Sequence, residues 1–188
     1  MSRKKELMLF STEEAKDRAL AWMIGLKECM KGLEWSLTCG VLLGAVRGGE
    51  FINWDFDIDC MMHRKHEPEM ERIVRCLKKK GYKANKIIMK DDKPTILQLQ
   101  TFIQITKDGV PGHIALRDPT NFGGTGYFKF GKVKLRGVEF PAPGNVENFL
   151  TEMYGRDWRI PKPTPGWKAI ESHVERPGHP VPVGAWHD

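Results

Sequence analysis

No run of 18 uncharged apolar residues occurs in this 188-residue sequence, so no stable membrane insertion is expected. No Cys-x-x-Cys pair occurs among Cys29, Cys39, Cys60 and Cys76. That argues against a structural zinc knuckle and makes four reduced, mostly buried thiols the expectation. The opening MSRKKELMLFSTEE is basic but lacks the apolar stretch of a secretory leader, so the expected compartment is the cytoplasm. Neither a P-loop lysine nor a GxGxxG spacing is present, and NFGGTG at 121–126 reads as a flexible loop. No internal repeat or second domain is visible. One domain is expected over residues 1–160, with a Pro-rich tail over 161–188, where six of the twelve prolines lie between Pro161 and Pro182.

The net charge is +6 and the pI about 9.1, which favours anionic partners. From Arg72 to Lys90 basic residues occur without any Asp or Glu. This is the pattern of a solvated helix face and its following strand, or else of an anion-facing patch. Ser11 with Glu14 suggests a capping box for a first helix carrying Ala15, Ala19, Trp22, Met23, Leu26 and Met30 inward. Strands are expected over Trp35–Val41, Ile52–Met62, Tyr82–Met89, 95–105 and 112–117. Helices are expected over Leu42–Val46, from Pro68 to near Gly81, and from Asn145 to Gly155, with a small hairpin between Phe128 and Phe140.

The informative segment is GVLLGAVRGGEFINWDFDIDCMM, residues 40–62. Asp55, Asp57 and Asp59 alternate with Phe56 and Ile58, which on a strand points all three carboxylates to one face. At an effective dielectric of 20, each like-charged pair costs on the order of 2–4 kcal/mol. A divalent cation relieves that cost, and hard oxygen ligands favour Mg²⁺ or Mn²⁺. An EF-hand is rejected, because Cys60 and His66 stand where its loop needs Gly and Glu. Arg47 suits a bidentate phosphate contact or an ion pair to one of these aspartates. Trp54 reads as core or as a base-stacking ring, and Tyr154 and Trp158 read as packing residues.

LLGAVRGGEFINWDFDID resembles the defining motif of the LicD/fukutin-related family. GVEFPAPG at 137–144, followed by YGRDWRIP at 154–161, is similar to the same family's C-terminal motif. The resemblance implies an α+β nucleotidyltransferase-like fold, a short mixed sheet flanked by helices. It implies metal-dependent transfer of a phosphocholine- or polyol-phosphate-like substituent from a CDP-activated donor to a glycan or sugar hydroxyl, as in cell-surface glycan modification. By that match Gly44 and Ala45 begin the helix facing the donor phosphates. Asp57 and Asp59 are the chief metal ligands, and Asp55 is a further ligand or orients the acceptor.

One position departs from the family. Where a later strand is expected to supply a third carboxylate, GHIALRD at 112–118 carries Ala115. His113 is the candidate replacement as ligand or general base, Asp118 a second, and Asp55 a third. His173, His179 and His187 read as surface residues of the tail. Three other functions compete: a nucleotidyltransferase acting on a small molecule or protein, a glycosyltransferase using its DxD, and a non-catalytic basic nucleotide- or nucleic-acid-binding domain. The third is disfavoured because only Tyr82 interrupts the basic run.

Overall fold

A computed structural model describes residues 10–88, 101–117 and 130–161. The first helix, α1 (Glu13–Cys29), starts one residue later than the Ser11 capping box predicts: Thr12 is extended, and its hydroxyl accepts from the Ala15 N–H at 3.1 Å. Glu13 and Glu14 then sit at the positive end of the helix dipole. Ala15, Ala19, Trp22, Met23 and Leu26 face the core as their spacing predicts.

Strand β1 is short (Trp35–Leu37), and α2 (Cys39–Gly48) begins three residues before the predicted start. The Thr38 N–H donates to the Asp59 carbonyl at 3.1 Å, so the chain leaves the sheet there and coils at once. Strand β2 spans only Ile58–His63, not 52–62: the Asp55 N–H bonds back to the Ile52 carbonyl at 3.0 Å, which turns the chain and stops extension. A 3-10 turn (Arg64–Glu69) contains Pro68, and α3 runs from Met70 to Lys79. Strands β3 (Lys83–Ile88), β4 (Thr101–Lys107) and β5 (Val110–Arg117) follow, with Asp108 and Gly109 at positive φ in the β4–β5 turn. The hairpin β6 (Gly131–Leu135) and β7 (Val138–Ala142) and the Asn145-capped α4 (Val146–Tyr154) complete the described chain. The segment 121–126, Asp118, most of the predicted 95–105 strand before Thr101, and the three tail histidines lie outside the described residues.

The five-stranded sheet has the order β1-β2-β5-β4-β3; β2 and β5 are parallel and the other pairs antiparallel. This is the mixed sheet with flanking helices that the sequence predicts. Gly112 shows which face α1 covers. A Cβ there would lie 2.9 Å from the Trp22 ring of α1, so residue 112 points toward α1 and residue 113 to the opposite face. Ile58, Cys60 and Met62 of β2 and Ile114 and Leu116 of β5 share the α1 side and are buried with Trp22 and Leu26.

The four-thiol expectation is corrected by a Cys29–Cys76 disulfide, Cα–Cα 5.7 Å. Cys29 closes α1 and Cys76 lies in α3, and packing of these two helices brings positions 47 residues apart within bonding range. Cys39 and Cys60 remain thiols. Among the described residues, no helix is long and apolar enough to cross a membrane.

Candidate active site

Asp59 lies on β2, whereas Asp55 and Asp57 lie in the turn before it, so the three carboxylates meet without sharing a strand. The turn is pinned from both sides. The Asp55 carbonyl accepts from Phe10 N–H at 2.8 Å, and its Oδ1 accepts from Phe56 N–H at 3.0 Å. The Asp55 carboxylate packs against the first turn of α2: a Cβ on Gly40 would stand 1.9 Å from Oδ2. The positive end of a helix therefore faces the acidic cluster.

Asp59 is directly opposite His113 in the parallel β2–β5 register, while Ala115 is opposite Met61. His113 Nδ1 lies 3.5 Å from Asp59 Oδ1. Asp57, Asp59 and His113 each offer a donor atom within 4.8 Å of the others. Two carboxylate oxygens and one imidazole nitrogen, from the β2–β5 pair and the segment leading into β2, fit a divalent cation such as Mn²⁺ or Mg²⁺. Burial, and then the Asp59 charge, hold the carboxyl of Asp55 well above the usual carboxylate range. The same causes in the same order, with Asp55 added, raise Asp57 further.

Gly44 and Ala45 sit in the middle of α2, not at its start. A Cβ at Gly44 would lie 2.4 Å from the Glu50 carbonyl, so this glycine admits the returning chain. The helix start that faces the cluster is Thr38-Cys39-Gly40, which the sequence reading passed over. Its signal was a glycine before the apolar run VLL. Among the described residues Arg47 makes no ion pair to the aspartates. Its Nε donates to the Trp158 carbonyl at 2.7 Å and Nη2 to the Ile160 carbonyl at 3.2 Å, tying α2 to the chain after α4. Trp54 is 36% exposed and not part of the core, whereas Trp158 and Tyr154 are buried as predicted.

Three more groups surround the acids. Cys39 has φ +51, and burial and the Asp59 charge push its thiol well up. Tyr154 is buried close enough for Cys39 and the three aspartates to add to the rise that burial causes in its phenol. Arg117, buried on β5 four residues beyond His113, has its guanidinium pushed down by burial while Cys39 and Asp59 oppose the shift. None was visible as a site neighbour in the sequence, because strand register and helix packing bring them in.

The LicD/FKTN/FKRP nucleotidyltransferase-domain model matches residues 32–145, more than half of the chain and including the whole acidic cluster. No curated protein matches the chain in sequence. Among solved structures, the lincomycin-bound lincosamide antibiotic adenylyltransferase LnuA is similar at 16% identity and a TM-score of 0.48. The likeness covers 86% of this chain and 97% of that one.

Proposed function

Because the chain belongs to the LicD/FKTN/FKRP family of nucleotidyltransferase domains, we propose that it transfers a phospho-substituent from a CDP-activated donor to a sugar or glycan hydroxyl, with Mg²⁺ or Mn²⁺. The observation that carries this reading is the convergence of Asp57, Asp59 and His113 within 4.8 Å beside the start of α2. Such a cluster is costly in a half-buried setting unless positive charge joins it.

Asp57, Asp59 and His113 would hold the ion. When bound, it would neutralise charge on the donor diphosphate. The free N–H groups at the start of α2 would face phosphate oxygens, as helix N-termini do. The exposed Trp54 indole would stack on the cytosine. Asp55 would orient the acceptor hydroxyl and take its proton. The acceptor oxygen bonds to the phosphorus carrying the alcohol, the bond from that phosphorus to the bridging oxygen breaks, and CMP leaves. His113 would stand in for the carboxylate absent at Ala115, since it, and not residue 115, is opposite Asp59.

Thermal unfolding with Mn²⁺ and CDP tests the reading. The melting temperature should rise, and the Asp57→Asn/Asp59→Asn double variant should lose the rise. A rise with ATP that exceeds the rise with CDP would replace the reading with nucleotidyl transfer. A wild-type protein with no metal-linked rise would end it.

A further inference from the structure

The cations of α3 gather around the disulfide. Arg72, Arg75, Lys79 and Lys80 line a cleft of about 440 Å³, and Cys76 forms part of its wall. Positions 72, 75, 76 and 79 recur at helical spacing, so they share one face of α3, and Lys80 stands at its C-terminal cap. Two of the four cations are already partnered. Arg72 Nε donates to Glu69 Oε2 at 2.6 Å, and Lys80 pairs with Glu28 of α1. Among the described residues Arg75 and Lys79 make no ion pair, and both are exposed.

The two sulfurs differ in access. Cys29 is 1% exposed, whereas Cys76 is half-buried and lines the cleft. A reactant entering the cleft therefore meets Cys76. Arg72 Nη1 donates to the Cys29 carbonyl at 3.3 Å, which sets a positive charge beside the shielded cysteine as well. Lysines at the end of α3 complement the helix dipole, which accounts for Lys79 and Lys80. That reason does not extend to Arg72, which lies in the first turn, where the dipole disfavours a cation.

We propose that this cleft is a thiol–disulfide exchange site for a small anionic thiol of the glutathione class, which opens the bridge by attack on Cys76. A cleft walled by one sign of charge concentrates the opposite sign, and its volume suits a small molecule. The attacking species is the thiolate, its proton having gone to solvent. Its sulfur bonds to Cys76 Sγ, the Cys29–Cys76 bond breaks, and the Cys29 thiolate departs and takes a proton from solvent. A second thiolate attacks the sulfur of the bound thiol and releases the Cys76 thiolate, which the surrounding cations favour. Two thiols are oxidised to their disulfide, and the protein disulfide is reduced by the same two electrons. The oxidised thiol entering the same cleft closes the bridge by the reverse steps. This site is independent of the transferase reading.

Rates of reduction of the native protein near neutral pH test it. Mercaptoethanesulfonate, mercaptoethanol and cysteamine share a two-carbon skeleton and differ in charge. Each rate is divided by the thiolate concentration and by the rate with a small neutral disulfide. The sulfonate should exceed mercaptoethanol by roughly tenfold or more, and cysteamine should be slowest. Glutathione should rank with the sulfonate, and salt at about 0.5 M should narrow the gap. Arg75→Glu/Lys79→Glu should reverse the order in favour of cysteamine, which an unfolded variant would not do. Lys132→Ala/Lys134→Ala on β6 should keep the wild-type order. Mass spectrometry after acid quenching should find the first adduct on Cys76. Rates indifferent to thiol charge, the result expected if the bridge is reduced through general opening of the fold, overturn the proposal. So does an order that survives the charge reversal, or an adduct on Cys29.

Discussion

Gly40 lies so close to Asp55 that any side chain at position 40 would meet the carboxylate, with a Cβ 1.9 Å from Oδ2. The first turn of α2 and the acidic cluster are thus one packed unit. Gly40→Ala should shift Asp55 without exposing core, and lower kcat/KM by roughly tenfold or more, about 1.4 kcal/mol. Steady-state kinetics on Gly40→Ala, Asp55→Ala and the double variant check this. If the glycine acts through Asp55, the double variant is no slower than Asp55→Ala alone.

His113 should tolerate a carboxylate better than an apolar residue. His113→Asp should keep most of the melting-temperature rise with Mn²⁺, and His113→Ala should lose most of it, because the position opposite Asp59 needs a donor atom. Equal losses in the two variants would remove His113 from the ligand set.

Arg47 should behave as a structural residue. Arg47→Lys cannot reproduce the fork onto the Trp158 and Ile160 carbonyls. Unfolding in urea should show a loss of about 1–3 kcal/mol, and CDP titration should show an unchanged Kd. A weakened CDP affinity at unchanged stability would return Arg47 to the phosphates.

The metal-free protein should lose stability as pH rises. Asp55 and Asp57 titrate well above their unfolded values because of burial and the Asp59 charge. The folded chain therefore binds more protons than the unfolded one at pH values between the unfolded carboxylate pKa and the raised folded values. Stability falls as pH climbs through that interval and levels off above it. Melting curves from pH 5 upward in the presence of a chelator should show this fall, and Asp57→Asn should flatten it. Mn²⁺ should stabilise more at the alkaline end, where its ligands are ionised without competition.

The Cys29–Cys76 bridge closes a long loop, with the two cysteines 47 residues apart. Removing it with Cys29→Ser/Cys76→Ser should cost about 2–4 kcal/mol of unfolding free energy. A reducing agent should bring the wild type to the same urea midpoint. No difference between oxidised and reduced protein would mean the link carries no stability.

Residue order alone was enough to locate α1, α3, α4, the β4–β5 turn at Asp108-Gly109 and the acidic segment, because periodicity, caps and turn residues act over a few neighbours. The WDFDID spacing pointed to a carboxylate cluster, yet the single strand drawn through it was wrong. A hydrogen bond from Asp55 to Ile52 decides that turn, and the alternating pattern could not reveal it. The same limit applied to Arg47, whose partners lie more than a hundred residues away.

Local chemistry therefore determined which residue types this protein brings to its site: three aspartates, a histidine on a later strand, and a glycine-bearing helix beside them. Tertiary structure alone decided which of them touch. Parallel pairing set His113 and not Ala115 opposite Asp59, and helix packing set Cys29 beside Cys76. Register and helix packing join positions far apart in the chain, and a one-residue slip in either would turn a different side chain toward the carboxylate cluster.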